Sequence, residues 1–545
     1  MDIGSFTPAR AERPVVARHG GRSLALVVLC TLLFLTFLDN TIVSVVLGSV
    51  QTALHAGVSD LQWIVGAYAL TFASTMLACG MIGDEFGRKT VMMAGASVFC
   101  AGSVISALAP DPQVLIAGRA VMGFGAAASE PGTLSMLRHF YTEPRSRERA
   151  IGIWAGVSGM ALALGPIIGG ALVGAWNWRA IFWFNLVFGL AALVAAAVIL
   201  PENSDPQAHR VDAGGTLFGG GGLAALVYAV ISGETLGYSS PEVIALLCVS
   251  AVGAAGFIWW EHRTPHPLLD LRFLRVPRFS SANIVAFCTY FGTFAIFFFT
   301  VLYLYEVAGF SGYRIALVFL PMAAVMIAAS VLTGRWMGAI PVRWPIFGGC
   351  VLFAAGLYLT DANLSPHPSF TAVLLSLLLT GAGIGVTVVP ITSSALGAVP
   401  AERSGMAASA TNTSREIGAV MGVAVLGSLV DAQLSATIGS RLHALGLPPN
   451  IQAIVISGIE TGKLSGSPSS QAPPGQGKLV QEVIQAAYAA LHAGLRDALY
   501  LSAALVLAAG ILALVTIRSR PRPAESRSRP RPPESRSRPG SAESR

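Results

Sequence analysis

Gly80-Met81-Ile82-Gly83-Asp84-Glu85-Phe86-Gly87-Arg88-Lys89 joins two long apolar runs, 61–82 and 91–109. Its glycines suit a tight turn, and Asp84 is placed to reach the start of the following helix or a facing arginine. The stretch has a partner further along the chain. Gly80 and Lys89 are echoed by Gly334 and Arg343, each 254 residues later. Arg149 is echoed by Arg403, again 254 later, and Gly165 with Gly169 by Gly418 with Gly422, 253 later. An offset this constant, held across four helix junctions, marks a duplicated unit. The repeat therefore predicts two related halves.

The rest of the chain fits that frame. A helix needs about 20 mostly apolar residues to span a bilayer, and fourteen such segments are legible. Six run over 24–47, 61–82, 91–109, 114–137, 151–173 and 180–200; two more over 214–232 and 243–260. The last six run over 281–305, 315–334, 346–359, 370–396, 405–430 and 497–517. The expected fold is an all-α polytopic membrane protein, with two six-helix halves around an inserted central pair. Its parts are a cytoplasmic tail (1–23), an N-terminal half (24–200), a linker (201–212) and the inserted helices (213–260). A loop (261–280), a C-terminal half (281–517) with a long outer loop (431–496), and a tail (518–545) complete it. The tail is a near-repeat of Pro, Arg, Glu and Ser with nothing apolar to form a core, so disorder is expected there.

Composition excludes a soluble protein. The chain is 54% hydrophobic and 12% charged, against about 25% charged in soluble domains. Nor does the basic balance mark a nucleic-acid site: 518–545 holds nine arginines and three glutamates, +6 of the +7 total. The remaining basic residues cluster in alternate loops, at Arg88 and Lys89, Arg138 to Arg149, Arg263 to Arg278, Arg343 and Arg403. By the positive-inside rule these face the cytoplasm, as do both termini. The six cysteines lie in apolar runs without CxxC spacing and read as small apolar residues, not metal ligands. No GxxxxGK[ST], HExxH or GxSxG occurs, and the histidines avoid span interiors. Neither an enzyme, a cofactor nor a metal site is expected.

Charges within spans are costly and for that reason functional candidates. Asp39 in helix 1, with Arg119 and Glu130 in helix 4, form the shortlist. Asp39 and Arg119 suit either a static pair that fixes packing or a carboxylate that exchanges a proton beside a guanidinium. Glu130, before Pro131, suits either a water-filled cavity or a hydrogen bond to a neighbouring helix. Helix 5 carries Gly165-Pro166-Ile167-Ile168-Gly169-Gly170, a pattern for close helix packing with a bend at the proline.

These residues resemble the major facilitator superfamily, specifically its fourteen-helix drug:proton antiporter family. The Gly80–Lys89 loop is similar to the superfamily's loop between helices 2 and 3, with Asp84, Gly87, Arg88 and Lys89 in place and Glu85 as a departure. Asp39-Asn40-Thr41 resembles the helix-1 motif, although Ser44, Val46 and Gly48 depart from it. Gly118-Arg119 through Gly123 resembles the helix-4 motif with Met122 for glutamine, and Gly165-Pro166 with Gly169-Gly170 the antiporter motif. Glu402-Arg403, Gly405, Asn412, Arg415 and Gly418 resemble the helix 12–13 junction, while Ala339 and Pro341 make the second-half loop degenerate.

The resemblance implies alternating access, with a small-molecule substrate leaving as protons enter. Asp39, Arg119 and Glu130 would couple the proton, and Gly80, Asp84, Gly87, Arg88 and Lys89 would latch one state. The expectation is a monomeric exporter of amphipathic drugs or antibiotics in a bacterial plasma membrane, its tail touching anionic lipid. Two alternatives stand beside it: a dedicated exporter of one endogenous metabolite or self-made antibiotic, and a membrane sensor or scaffold without flux.

Overall fold

A computed structural model describes residues 19–444, apart from 57, 203–211, 266, 309, 311, 338–339, 366–367 and 401–402, together with 477–517. The first 18 residues, the centre of the outer loop and the 518–545 tail lie outside the described residues. The described residues are helical throughout, without a strand. In the first half the helices are α1 (His19–Ile42), α2 (Val58–Phe86), α3 (Arg88–Ala107), α4 (Pro112–Phe140), α5 (Pro144–Ala175) and α6 (Ala180–Ile199). The inserted pair is α7, which runs through Ala213–Gly215, a π turn (Thr216–Gly220) and Gly221–Leu236, and α8 (Pro241–Glu261). The second half has α9 (Pro277–Phe294, prolonged by Ala295–Thr300 and Val301–Glu306), α10 (Gly312–Trp336), α11 (Arg343–Asn363) and α12 (Phe370–Gly397). Helices α13 (Ser404–Ala444) and α14 (Gly477–Thr516) complete it.

Boundaries follow local chemistry. Asp111 accepts from the Val114 amide at 2.9 Å ahead of Pro112, and Ser240 from the Val243 amide at 3.3 Å ahead of Pro241. Gly87 (φ 105°) and Gly237 (φ 80°) make turns that need a positive φ, and His55 (φ 53°) adopts one after Leu54. Helix α5 bends by 43° between Leu162 and Ile167, the site of Gly165-Pro166, and α2 bends by 52° near Ala78.

Among the described residues, eleven helices are long and apolar enough to cross a membrane, thirteen if each bent pair is one span. Helix α4, which carries Arg119 and Glu130, is not among them. Three sequence boundaries are corrected. Helix α11, expected as a short 346–359 segment, is a full 21 residues. The 431–496 stretch is helical at both ends, because α13 runs on to Ala444 and α14 starts at Gly477. Residues 478–495 are the first turns of α14, which runs on into the span without a break.

The duplication is visible in the packing. Helix α5 lies on α1 and α4 on α2 and α3; eight helices later, α13 lies on α9 and α12 on α10 and α11. The glycine echo explains the match. A Cβ at Gly165 would fall 2.9 Å from the Ile42 nitrogen, and one at Gly169 2.9 Å from the Ile42 oxygen. Gly418 meets the Phe287 carbonyl in the same way, and a Cβ at Gly422 would fall 2.7 Å from the Phe291 oxygen. Small residues thus set the α1–α5 and α9–α13 backbones in contact. The halves meet along two seams, α2 with α13 and α5 with α10. The inserted pair covers the first seam, with α7 against both α2 and α13.

Candidate functional site

Asp39, Arg119, Glu130, Arg415 and Glu416 are buried within the helices and form two groups. In the first, Asp39 of α1 is fully buried and Arg119 of α4 is 1% exposed. Arg119 donates through Nη1 to Asp39 Oδ2 and through Nε to the Ile64 carbonyl at 3.0 Å. Asn185 of α6 donates through Nδ2 to Asp39 Oδ1 at 2.6 Å. The guanidinium also lies 4.5 Å above the Tyr68 ring, whose hydroxyl donates to the Thr36 carbonyl at 3.1 Å. Four helices thus converge on one carboxylate. Met122, which stands where the helix-4 motif has glutamine, presents its sulfur 4.0 Å from Nη1, so Arg119 takes its anchors from Ile64 and Asp39 instead.

In the second group, Glu130 of α4 is 1% exposed and its Oε2 has no hydrogen-bond partner. The charges acting on it are Glu416 and Arg415 of α13. Arg415, 2% exposed, donates to Asn412 Oδ1 at 3.1 Å and Thr392 Oγ1 at 2.6 Å. Its guanidinium lies 5.6 Å from the Trp154 ring of α5 and 5.5 Å from the Tyr290 ring of α9. Trp154 in turn donates to Thr133 Oγ1 at 3.1 Å, one turn beyond Glu130. Residues of both halves therefore share this group, whereas Asp39 and Arg119 lie wholly within the first half.

The three-residue shortlist of span charges is corrected by this group. Arg415 and Glu416 lie inside the 405–430 run, and the criterion that singles out Arg119 applies equally to them. Asn185, which with Trp178-Arg179 and Phe182 fits the family pattern, is brought to Asp39 by the fold, whereas Tyr68 carries no comparable signal, because a tyrosine in an apolar run is common.

The Gly80–Lys89 loop is bound within its own half. Arg88 donates to Asp84 Oδ1 through Nε at 2.9 Å, an i,i+4 pair. The start of α3 is capped by Glu202, which accepts from the amides of Lys89 and Thr90, both at 3.1 Å, and from the Thr90 hydroxyl. Asp84, expected at that helix start or on a facing arginine, takes the arginine one turn along. The φ of 105° at Gly87 is what favours glycine there; a Cβ would also press on the end of the Glu202 side chain. Lys89 Nζ donates to the Ala197 carbonyl at 2.8 Å, and Gly80 is buried in α2. In the antiporter motif, Gly165 and Gly169 meet α1 while Gly170 faces outward and takes no part in that seam. The Thr41 hydroxyl closes the seam by donating to the Leu162 carbonyl at 2.9 Å.

At the same end of the bundle, Arg138 of α4 donates to the Leu396 carbonyl of α12 at 3.1 Å, which links the halves. Asp270, after α8, accepts from Arg272 Nη2 at 2.8 Å and from Arg403 Nη1 at 2.6 Å. The hydrogen bonds from Arg272 chiefly, with the Arg403 charge, hold its carboxyl below the usual range.

Among the described residues no group of three or more His, Cys, Asp or Glu is arranged to hold a metal ion, and the six cysteines are unpaired.

Comparison with known proteins agrees with this arrangement. The chain is 36% identical over 428 residues to multidrug resistance protein Stp of Mycobacterium tuberculosis, covering 78% of this chain and 79% of that one. It is 29% identical over 488 residues to the tetracenomycin C resistance and export protein of Streptomyces glaucescens, covering 89% of each. Its fold matches a bacterial homologue of the human lysosomal transporter Spinster with a TM-score of 0.58 at 18% identity, over 92% of this chain and 100% of that one. The Major Facilitator Superfamily profile matches residues 29–423, and with both halves, their repeat and their seams in place, the chain belongs to that superfamily of membrane transporters.

Proposed function

We propose that the protein is a proton-coupled exporter of small amphipathic organic compounds, working by alternating access. The observation that carries this reading is Asp39, a carboxylate without solvent contact, held between Arg119 and Asn185 at the meeting of four helices. A carboxylate in that place is neutral or charged according to whether Arg119 stays against it. Proton binding at Asp39 frees the guanidinium, and the surrounding helices can then adopt their other arrangement. Glu130 and Glu416 supply a second proton- or cation-binding group at the junction of the halves. The Asp84–Arg88 loop and the Gly165–Gly170 bend of α5 are the latch and the flexing element of the same motion. The name of the Streptomyces glaucescens relative, a resistance and export protein, supports the outward direction.

The loops bearing Lys89, Arg138, Arg272, Arg343 and Arg403 face the cytoplasm in this reading, as do both termini, in a bacterial plasma membrane. The unit is a monomer, and the nine-arginine tail meets anionic lipid.

Everted vesicles test the mechanism. Ethidium, puromycin and tetracenomycin C are added in turn to acidified vesicles, and proton release is followed by a pH-sensitive dye. At least one compound releases protons from wild-type vesicles, and Asp39→Asn abolishes the release. Undiminished release in that variant overturns the coupling assignment. Growth protection against one compound alone identifies a dedicated exporter, and protection against none, with normal folding, a sensor or scaffold.

A further inference from the structure

The inserted pair does not lie flush on the body. Between α7–α8 and the α2/α13 seam is a cavity of about 220 Å³, lined among others by Ala73 and Ala78 of α2, Leu223 of α7, Phe257 of α8, and Thr413 and Ile417 of α13. Its existence follows from sequence. Gly219, Gly220 and Gly222 form one wall without side chains, and the π turn Thr216–Gly220 widens the helix there. Such π bulges concentrate at functional sites.

The lining chemistry restricts what can fill it. No charged residue borders the cavity. Of its hydroxyls, Ser74 donates to the Leu70 carbonyl at 2.7 Å and Thr216 to the Asp212 carbonyl at 2.8 Å, both within their own helices. Thr413, 9% exposed, has no hydrogen-bond partner, and Ser250 adds one further hydroxyl. The rest of the wall is apolar, whereas ordered water needs two to four polar partners held around it. Sites for drug-sized molecules run to about 300–1,000 Å³, so this one is undersized for a whole cargo molecule. Left empty, its walls forgo dispersion contacts. Apolar matter of small cross-section fits it.

The surroundings identify the source. Ala254, on the rim, is exposed, as is Ile258 (53%) next to it on the helix surface, and Val249 (56%) and Val252 (69%) are exposed on the other side of α8. Helix α8 thus presents apolar side chains around most of its girth, so the cavity opens beside hydrocarbon. Its lining residues on α7 and α8 belong to the helix halves nearest the basic loops, and Leu268 closes it at that end. There Arg263 stands exposed, its guanidinium 4.4 Å over the Trp259 ring, within the region of a lipid phosphate.

We propose that this cavity holds one acyl chain of a phospholipid from the leaflet next to the basic loops. The chain enters past Ala254, lies under the inserted pair, and touches α2 and α13, which belong to opposite halves. The inserted helices thereby keep a lipid at one seam of the transporter.

The test uses the full chain in nanodiscs of phosphatidylethanolamine and phosphatidylglycerol, doped with a phospholipid carrying a diazirine in its acyl chain. After irradiation, labelled peptides are mapped. Label on Ala73–Ala78 of α2 or Thr413–Ile417 of α13 is expected, because these residues are buried from the bulk bilayer. Ser250→Phe and Ala254→Phe, which fill the cavity from the α8 side, abolish that label and leave the label on Val249, Val252 and Ile258 unchanged. Label confined to the outer face of α8 in the wild type, or inner label that survives both fillings, overturns the proposal.

Discussion

Arg119 grips Asp39 across 80 residues of sequence, in a pair that no solvent reaches. Nothing else within hydrogen-bonding distance of Asp39 carries charge; Asn185 is its neutral second partner. Removing either charge strands the other. Loss of one member of a buried pair costs about 3–5 kcal/mol. Arg119→Ala is expected to lower the unfolding midpoint in detergent markedly, and Asp39→Asn less, because its amide still accepts from Arg119. Equal midpoints for wild type and Arg119→Ala would show that the pair contributes nothing to stability.

The Glu416 charge bears on Glu130 across the junction of the halves. Their removal is therefore non-additive. Glu130→Gln and Glu416→Gln each relieve a like-charge neighbour, and the double variant changes drug-driven proton flux by less than the product of the two single effects. Strict multiplicativity would place the two carboxylates in separate functions.

The paired glycines make a symmetric prediction. Gly169→Val brings a side chain against the Ile42 carbonyl, and Gly422→Val one against the Phe291 carbonyl. Each is expected to cost about 1–3 kcal/mol as overpacking and to reduce folded yield. Gly170→Val, on the outward face of the same helix, leaves the yield near wild type. Size-exclusion profiles of the three variants decide it.

Acid sensitivity is expected at Asp270. Because Arg272 and Arg403 hold its carboxyl below the usual range of about 3.9, its contribution is fully present above that value. It disappears as pH falls through the lower folded value. Asp270→Asn is less stable than wild type at pH 7, by about 1 kcal/mol for a charged hydrogen bond at a partly exposed site. The gap closes as pH falls below about 4. Unfolding midpoints of both proteins across that range measure it, and a constant gap contradicts the pairing.

The sequence by itself determined the frame. Apolar run lengths dictate spans, because bilayer thickness fixes helix length. The 253–254 offset of Gly80, Arg149 and Gly165 dictates two halves, and the packing of α5 on α1 and α13 on α9 repeats accordingly. Asp39, Arg119 and Glu130 were legible too, since an intramembrane charge is too costly to be incidental. Only tertiary structure decided the partners. Asn185, Tyr68 and Glu202 have no assigned partners until helix rotation and crossing bring them to Asp39, Arg119 and the start of α3. Arg415 and Glu416 were visible as charges, but their place opposite Glu130 depends on how two separately folded halves meet. Sequence periodicity within either half carries no information about that contact. The same holds for the cavity beneath α7: glycines announce close approach, while the space they leave depends on what lies across from them.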